Sequence, residues 1–336
     1  MLRRPYVPLL VTGLALACGM LAPSGTQASE GPHPGSRVTA TTVAGPAAAA
    51  PTLIHPQRKY LGVFREGAPS SMRPVEEFGQ LTGKQPNLVL YYAGWGDGFH
   101  ASGVRNAWNR GALTVVSWEP HGTTLAAVAR GDSDAYVRRY AAAVRTLGIP
   151  VAISFADEMN GDWEDWGTTS ATPEEFVAAW RRVHRIFDEA GADRVIWTWS
   201  PNITNAIGDS VRLADYDPGD AYVDWTGIVG YFTDWDPHTF DELFGPTIDE
   251  VRALSRRPLL ILETGAVPGA RRAEHIRELC EGIRARPDVI GFSWFDKKAR
   301  ADWRLETEGD GIAAFRSCVA DERYGFDVRG LPFGSR

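Results

Sequence analysis

The sequence predicts an α/β fold, a (β/α)8 barrel that forms a single catalytic domain. Three observations lead there. Eight short apolar runs follow one another from residue 59, amphipathic stretches separate them, and polar residues cluster where the runs end. The runs are 59–64, 88–95, 113–119, 150–157, 194–200, 226–232, 258–263 and 289–295. Most are nearly continuous in apolar character. Parallel strands buried on both faces read this way, whereas half-exposed strands alternate. Their number, order and spacing match the barrel. A doubly wound open sheet would carry a glycine-rich phosphate turn after its first strand. Here that turn is Arg65, Glu66, Gly67, Ala68 and Pro69, which does not fit.

The connecting helices have start and stop signals. Thr172 is a cap residue, Pro173 suits the first helical position, and Glu175 completes a capping box. Phe176, Ala179, Trp180, Val183 and Phe187 then recur at helical spacing until Gly191 ends the helix. Residues 132–147 close on Gly148 in the same way. Weaker helical patterns cover 74–82, 101–110, 240–255, 270–286 and 309–320, and 202–222 is poorly periodic. The barrel domain is expected over 58–322, with a short tail at 323–336.

The segment before the barrel reads differently. Residues 1–28 resemble a secretory signal. Arg3 and Arg4 supply positive charge, Val7 to Leu21 is largely apolar, and Thr26, Gln27 and Ala28 form a small-residue cleavage site. The apolar stretch is short for a membrane span. Cys18 sits in a poor lipobox, so cleavage is favoured over lipid anchoring. Residues 29–57, rich in Ala, Pro, Gly and Thr, read as a flexible linker. After cleavage two cysteines remain, Cys280 and Cys318. An even pair in an exported chain predicts one disulfide, tying the seventh barrel helix to the last; two buried thiols are the alternative.

Composition narrows the function. With 35 basic and 42 acidic residues the formal charge is -7, and there is no basic block. Nucleic-acid binding is a poor fit. No His-Glu-x-x-His and no Gly-x-Ser-x-Gly occurs, so a zinc hydrolase and a serine hydrolase are both disfavoured. No metal or cofactor is expected, and the expected state is a monomer. The unusual count is tryptophan, with 12 residues, all beyond residue 90.

A barrel builds its site at the C-terminal ends of its strands. Those ends carry Trp95, then Trp118 and Glu119, then Asp157, Glu158 and Asn160 with Trp163 and Trp166 close behind. Trp199 follows, then Tyr231 and Trp235, Glu263, and Trp294. Aromatic faces suit the C–H faces of sugar rings, and the polar groups suit hydroxyls. Two carboxylates across such a cleft are the minimum equipment for glycoside hydrolysis. Glu158 and Glu263 are that pair, since the fourth and seventh strands face each other across a barrel mouth. Seven tryptophans, at 95, 118, 163, 166, 199, 235 and 294, are therefore expected to line an aromatic cleft. Trp197 should share a face with Trp199 and line the barrel interior, while Trp108 and Trp180 belong to helices. Trp225 and Trp303 are left unplaced.

These motifs resemble glycoside hydrolase family 26, a family dominated by endo-β-1,4-mannanases. The resemblance covers roughly 59–305. It rests on Ser117, Trp118, Glu119 and Pro120, on Asp157, Glu158, Met159, Asn160, Gly161, Asp162 and Trp163, and on Glu263, Thr264 and Gly265. It implies a secreted retaining hydrolase of a β-linked polysaccharide. Glu158 would be the acid/base and Glu263 the nucleophile, with Tyr231 bonding Glu263. Trp294 would floor the subsite beside the scissile bond, and Trp163 would lie on the leaving-group side. Trp95, Trp118, Glu119, Asp157, Asn160, Trp199 and Trp235 would complete the substrate contacts. Where the family usually has His before the acid/base, this chain has Asp157. That puts mannan itself in question and leaves mixed-linkage β-glucan or an exopolysaccharide as alternative substrates. It also motivates the reading from another class, an inactive carbohydrate-binding barrel, against which both retained glutamates argue.

Overall fold

The computed structural model describes residues 50–204, 211–234, 239–305 and 309–334. The signal region, Cys18, most of the expected linker and Trp235 lie outside these residues. Eight parallel strands close into a barrel in sequence order. They are β1 (Tyr60–Phe64), β2 (Leu88–Gly94), β3 (Leu113–Glu119) and β4 (Val151–Phe155), then β5 (Val195–Trp199), β6 (Trp225–Val229), β7 (Leu259–Thr264) and β8 (Val289–Phe295). β1 pairs with β8, so no sheet edge is left open. The predicted fold class is the observed one.

Helices cover the outside: α1 (Arg73–Thr82), α2 (Ala101–Asn109), α3 (Leu125–Arg130), α4 (Asp134–Leu147), α5 (Pro173–Glu189), α6 (Phe240–Leu254), α7 (Arg272–Ala285) and α8 (Gly309–Val319). The capping box of α5 forms in both directions, with Glu175 N–H donating to Thr172 Oγ1 and Thr172 N–H to Glu175 Oε2. Thr239 and Glu242 make a second one at α6. The short α3, capped by Thr124, was hidden in an Ala-rich stretch with few large apolar residues. Between β5 and β6 the described residues hold two short 3-10 turns, 213–216 and 220–222. That agrees with the weak periodicity there.

The strand residues divide into two cores by a period of two. One set faces the helices. The other fills the barrel with Tyr60, Phe64, Leu88, Leu90, Leu113, Val115, Ala152, Ile196, Trp225, Leu260, Leu262 and Ile290. Leu53, Ile54, Phe326 and Val328 join this inner cluster. Thus the end of the expected linker and the start of the expected tail are packed segments. Tyr60 O–H donates to the Leu53 carbonyl at 2.9 Å, and Trp225 Nε1 donates to that of Ile54 at 2.8 Å. A barrel open at its base would expose its lowest apolar layer, and these residues cover it.

The same period corrects most of the tryptophan placements. On β3 the inward residues are Leu113, Val115, Ser117 and Glu119, so Trp118 faces the helices. It is 0% exposed and stacks on Tyr140 of α4 at 4.1 Å. Trp197 and Trp199 do share a face, but it is the helix side, and both are buried. Trp294 is 0% exposed, packs on Phe315 of α8, and donates its Nε1 to the Trp303 carbonyl at 2.9 Å. Trp166 is buried as well. Trp108 and Trp180 lie on helices as expected. The aromatic excess is therefore largely barrel-to-helix packing rather than cleft lining.

Cys280 of α7 and Cys318 of α8 are bridged, with Cα atoms 5.7 Å apart. Titration of the unfolded, unreduced protein is expected to find no free thiol in this pair. Paired Cys280→Ser and Cys318→Ser substitutions should lower stability by about 2–4 kcal/mol in denaturant melts, given the loop enclosed.

Candidate active site

Two departures from strand geometry bring the acidic residues together. The first follows β4. Alternation would place Asp157 and Glu158 on opposite faces. Ala156 and Glu158, however, have φ of 50° and 52°, in the left-handed region that residues with a Cβ seldom adopt. The tight path turns both Asp157 and Glu158 toward the barrel mouth, where both line one cavity of about 380 Å3. Glu158 N–H donates to the Ser200 carbonyl at 2.8 Å, which ties this turn to the end of β5.

The second departure is on β7. Ile228 pairs with Ile261, but the next residue, Val229, pairs with Glu263, so β7 carries one extra residue. Leu260 and Leu262 point inward. Without the bulge, Glu263 would join Leu259 and Ile261 on the helix side. With it, Glu263 lines the same cavity as Glu158.

The two glutamates have different donors. Glu263 accepts from two phenols, Tyr231 O–H on Oε1 and Tyr92 O–H on Oε2. Glu158 accepts from nitrogen donors, Asn202 Nδ2 on Oε1 and Trp163 Nε1 on Oε2 at 3.3 Å. Trp163 reaches Glu158 by lying over Gly161, where a Cβ would stand 2.5 Å from the indole ring. That accounts for the glycine in the motif.

Burial raises both acids. It pushes Glu158 up to about 7, with the charge of Asp157 adding to the effect and the Asn202 and Trp163 donors opposing it. It pushes Glu263 up to about 8. The two phenol donors favour its carboxylate and act against that rise. Around them lie further acids. Glu119 is raised to about 7 by burial and then by Asp157. Asp157 is raised by burial, although Ser117 Oγ donates to its Oδ1 at 2.6 Å. Glu164 is raised by burial and Asp157.

Of the residues expected at the site, Glu158, Glu263, Glu119, Asp157, Trp163 and Tyr231 line this cavity. Asn160 does not. It is 0% exposed and bonds main-chain groups of Asn202. Trp118 and Trp199 face the helices by strand alternation, and Trp294 does so after the irregularity in β8. Trp95 is half-buried and packs on Trp118, Tyr136 and Phe155. Sequence reasoning missed Tyr92, Asn202, Phe295 and Trp303. Alternation along Leu88, Leu90 and Tyr92 marks Tyr92 as inward, whereas on β8 an extra residue between Val289 and Phe292 breaks the count from inward Ile290 and turns Phe295 rather than Trp294 to the mouth. Asn202 and Trp303 lie on loops, where no period applies.

A second cavity, about 930 Å3, adjoins the first and shares Tyr92 and Glu119 with it. Its lining includes Phe64, Ser70, Tyr91, Asp97, His100 and Lys297. Phe64 and Phe295 stack at 4.9 Å between ring centres. Together the cavities form a groove of carboxylates, hydroxyls and aromatic faces. Among the described residues no three His, Cys, Asp or Glu side chains are grouped to hold a metal ion.

Comparison with known proteins finds similarity to glycoside hydrolases. Residues 132–250 match the model for glycosyl hydrolase family 26, a span that includes Glu158, Asn202 and Tyr231. Endoglucanase H of Acetivibrio thermocellus is 29% identical over 269 residues, covering 75% of this chain and 29% of that protein. A mannan endo-1,4-β-mannosidase of Bacillus subtilis is 29% identical over 129 residues, 36% of this chain and 32% of that protein. The chain thus spans about a third or less of these relatives. Among solved structures, a modular endo-β-1,4-mannanase from Cellulomonas fimi superposes with a TM-score of 0.63 at 17% identity, covering 81% of this chain and 72% of that one. A β-mannanase from Bacteroides ovatus gives 0.62 at 15%, covering 84% and 96%. At such identities these two structures establish the shared barrel.

The left-handed backbone at Ala156 predicts a stability gain. Ala156→Gly should raise the unfolding free energy by about 0.5–1 kcal/mol, since glycine adopts this conformation without a Cβ clash. Thermal melts of the two proteins check it, and an unchanged or lower melting point would count against strain at this turn. The match to glycosyl hydrolase family 26 covers residues 132–250 and the solved mannanase structures share the barrel, so the chain resembles that family across its candidate site.

Proposed function

We propose that the protein is a secreted retaining glycoside hydrolase that cuts a β-linked polysaccharide by double displacement. One observation carries the reading: two half-buried glutamates face one cavity with different donor sets. Glu158 donates its proton to the glycosidic oxygen while Glu263 attacks the anomeric carbon. The C–O bond to the leaving sugar breaks, and a glycosyl–Glu263 ester forms. Glu158, now a carboxylate, takes a proton from water as that water attacks the ester, and free Glu263 is restored.

A 1,4-linked mannan is the first substrate reading, in keeping with the mannanase relatives. A β-glucan is the second, and a specific observation favours it: the relative matching 75% of this chain is named an endoglucanase. Asp157 bears on the choice, because it stands where the family usually has His. A reducing-end assay over mannan, glucomannan, mixed-linkage glucan, xylan and bacterial exopolysaccharide separates these outcomes. No release from any of them, with binding retained, would favour the inactive carbohydrate-binding barrel.

Glu263→Ala is expected to abolish turnover. Azide should restore product of the opposite anomeric configuration, and full activity in this variant would sink the assignment. Glu158→Ala should cost about 10²–10⁴-fold in rate.

The pH dependence has a definite sign. The working form holds one proton, on Glu158, with Glu263 ionised. As pH falls Glu263 gains a proton and attack stops; as pH rises Glu158 loses its proton and the leaving group is not assisted. Burial alone puts Glu263 at about 8, above Glu158 at about 7. The working form therefore dominates only where the two phenols on Glu263 reverse that order, and the bell-shaped profile of kcat/KM should then peak near neutrality rather than at acid pH. Tyr92→Phe removes a donor to the Glu263 carboxylate. It should move the acid limb upward and cut kcat/KM by about ten- to a hundredfold. An unmoved limb in that variant would show that Tyr92 does not tune Glu263.

A further inference from the structure

Asn160 and Asn202 form a reciprocal pair. The Asn160 Nδ2 donates to the Asn202 carbonyl at 2.9 Å, and the Asn202 N–H donates to Asn160 Oδ1 at 2.9 Å. Both main-chain polar groups of Asn202 are thus held by one side chain. The complementarity fixes which way the Asn160 amide points, because an exchanged amide would oppose two donors and two acceptors. Asn160 is fully buried and Asn202 is 7% exposed. The neighbouring backbone is fixed as well, since Val229 N–H donates to the Pro201 carbonyl and Ile203 N–H to the Val229 carbonyl. What remains to Asn202 is its own side chain, whose Nδ2 donates to Glu158 Oε1.

We propose that Asn202 is a positioning residue for the acid/base, held in place by Asn160, and that the pair sets both the aim of Glu158 and its readiness to give up a proton. The inference rests on the reading of Glu158 as acid/base. An N–H donor on a carboxylate oxygen favours the ionised form. Glu158 must be ionised for the second step, when it accepts a proton from water. It must be protonated for the first. Burial drives it toward the protonated form, and the Asn202 donor opposes that drive so that both states stay within reach. Of the other groups that act on Glu158, the charges of Asp157 and Glu164 push with burial and Trp163 opposes it. Asp157 lies on its own turn and Glu164 on the loop that follows. Glu119 of β3, with His121 beyond it, Glu263 of β7, Tyr92 of β2, Tyr231 after β6 and Arg300 after β8 complete the charged and titratable surroundings. Trp163 supplies the other donor to Glu158, on Oε2.

The two asparagines also tie together loops that strand pairing leaves apart. The registered pairs of β4 and β5 end at Ile153 and Trp197, several residues before either asparagine. Beyond that point the Asn160–Asn202 pair and the Glu158 N–H bond to Ser200 link the two loops. A side chain that only filled space could be replaced by another of like volume without moving a titration.

The test is the pH profile of kcat/KM on whichever polysaccharide the panel selects, for the full chain and four variants. In Asn202→Ala the alkaline limb should rise by about one pH unit or more, as expected on losing a hydrogen bond to a charged group. Asn160→Ala should move the same limb in the same direction although it touches no substrate. The double variant should move it no further than Asn202→Ala alone, since both act through one bond. Asn202→Gln, which keeps the amide on a longer stem, should return part of the shift. Thermal melts confirm that each variant is folded. Should Asn160→Ala unfold, Asn160→Ser takes its place and Asn202→Ala with Asn202→Gln carries the same test. Folded variants that lose activity through KM alone, with the alkaline limb unmoved, would overturn the proposal. Glu158→Ala distinguishes the two levels. If it keeps wild-type turnover the acid/base reading itself is wrong and this inference falls with it, whereas an inactive Glu158→Ala beside an unmoved limb in the asparagine variants defeats the inference alone.

Discussion

Side chains on a barrel strand are divided between the interior and the helix layer by a period of two, and the candidate site depends on where that period fails. Left to alternation, Asp157 and Glu158 would part company, and Glu263 would join Ile261 against the helices. The left-handed turn at Ala156 and Glu158 and the extra residue on β7 re-aim them. Both irregularities sit at the C-terminal ends of strands, where sheet pairing is ending and least is lost by breaking it. Backbone in a sparsely populated region costs roughly 1–3 kcal/mol per residue and persists only where the surroundings enforce it. Here the enforcement is visible: Ala156 N–H donates to the Trp118 carbonyl, Glu158 N–H to that of Ser200, and Trp166 Nε1 to that of Asp157.

Collecting carboxylates in so small a space has an electrostatic consequence. Glu119, Asp157, Glu158 and Glu164 each hold their protons more tightly because of burial, and all but Asp157 also because of Asp157. A site of this kind would settle into a fully protonated, inert state near neutrality unless donors restored some acidity. The phenols on Glu263 and the amide and indole on Glu158 are placed to do so. His121 adds a weaker balance at the rim, 3.4 Å from Glu119 and 3.1 Å from Asp165. The donors matter as much as the acids, because they decide which acid holds the proton.

Much of the barrel was legible because its signals are local and repeated. Apolar runs, the capping box at Thr172 and the αL glycines at Gly148 and Gly191 each state their element without help from elsewhere. Glu158 and Glu263 were legible because a carboxylate at the end of an apolar strand is costly to keep there without partners or a task. The tryptophans were misread for a physical reason. Position at a strand end does not say which face a side chain takes, and a one-residue difference moves it from mouth to helix layer. Counting from inward Leu113 or Ile196 would have sent Trp118 and Trp199 outward. The bulge on β7 could not have been counted, since nothing in Leu259 to Thr264 announces an extra residue. Asn202 escaped because its role comes from a neighbour 42 positions away.

The outward tryptophans are still part of how the site is held. Trp118 is sandwiched among Trp95, Tyr136, Tyr140, Phe155 and Phe187, with β3, β4, α4 and α5 all contributing. Its main chain lies between Ser117, which bonds Asp157, and Glu119, which lines the groove. Close-packed aromatic rings have few alternative arrangements, so a shift of β3 relative to β4 would have to displace several large side chains at once. The strained turn after β4 leans on that stiffness: its first N–H is held by the Trp118 carbonyl. Large rings on the far side of the strand therefore restrain the backbone from which the carboxylates project. They fix the site without touching what it binds, as a rigid wall is needed wherever charged groups must stay close together against their own repulsion.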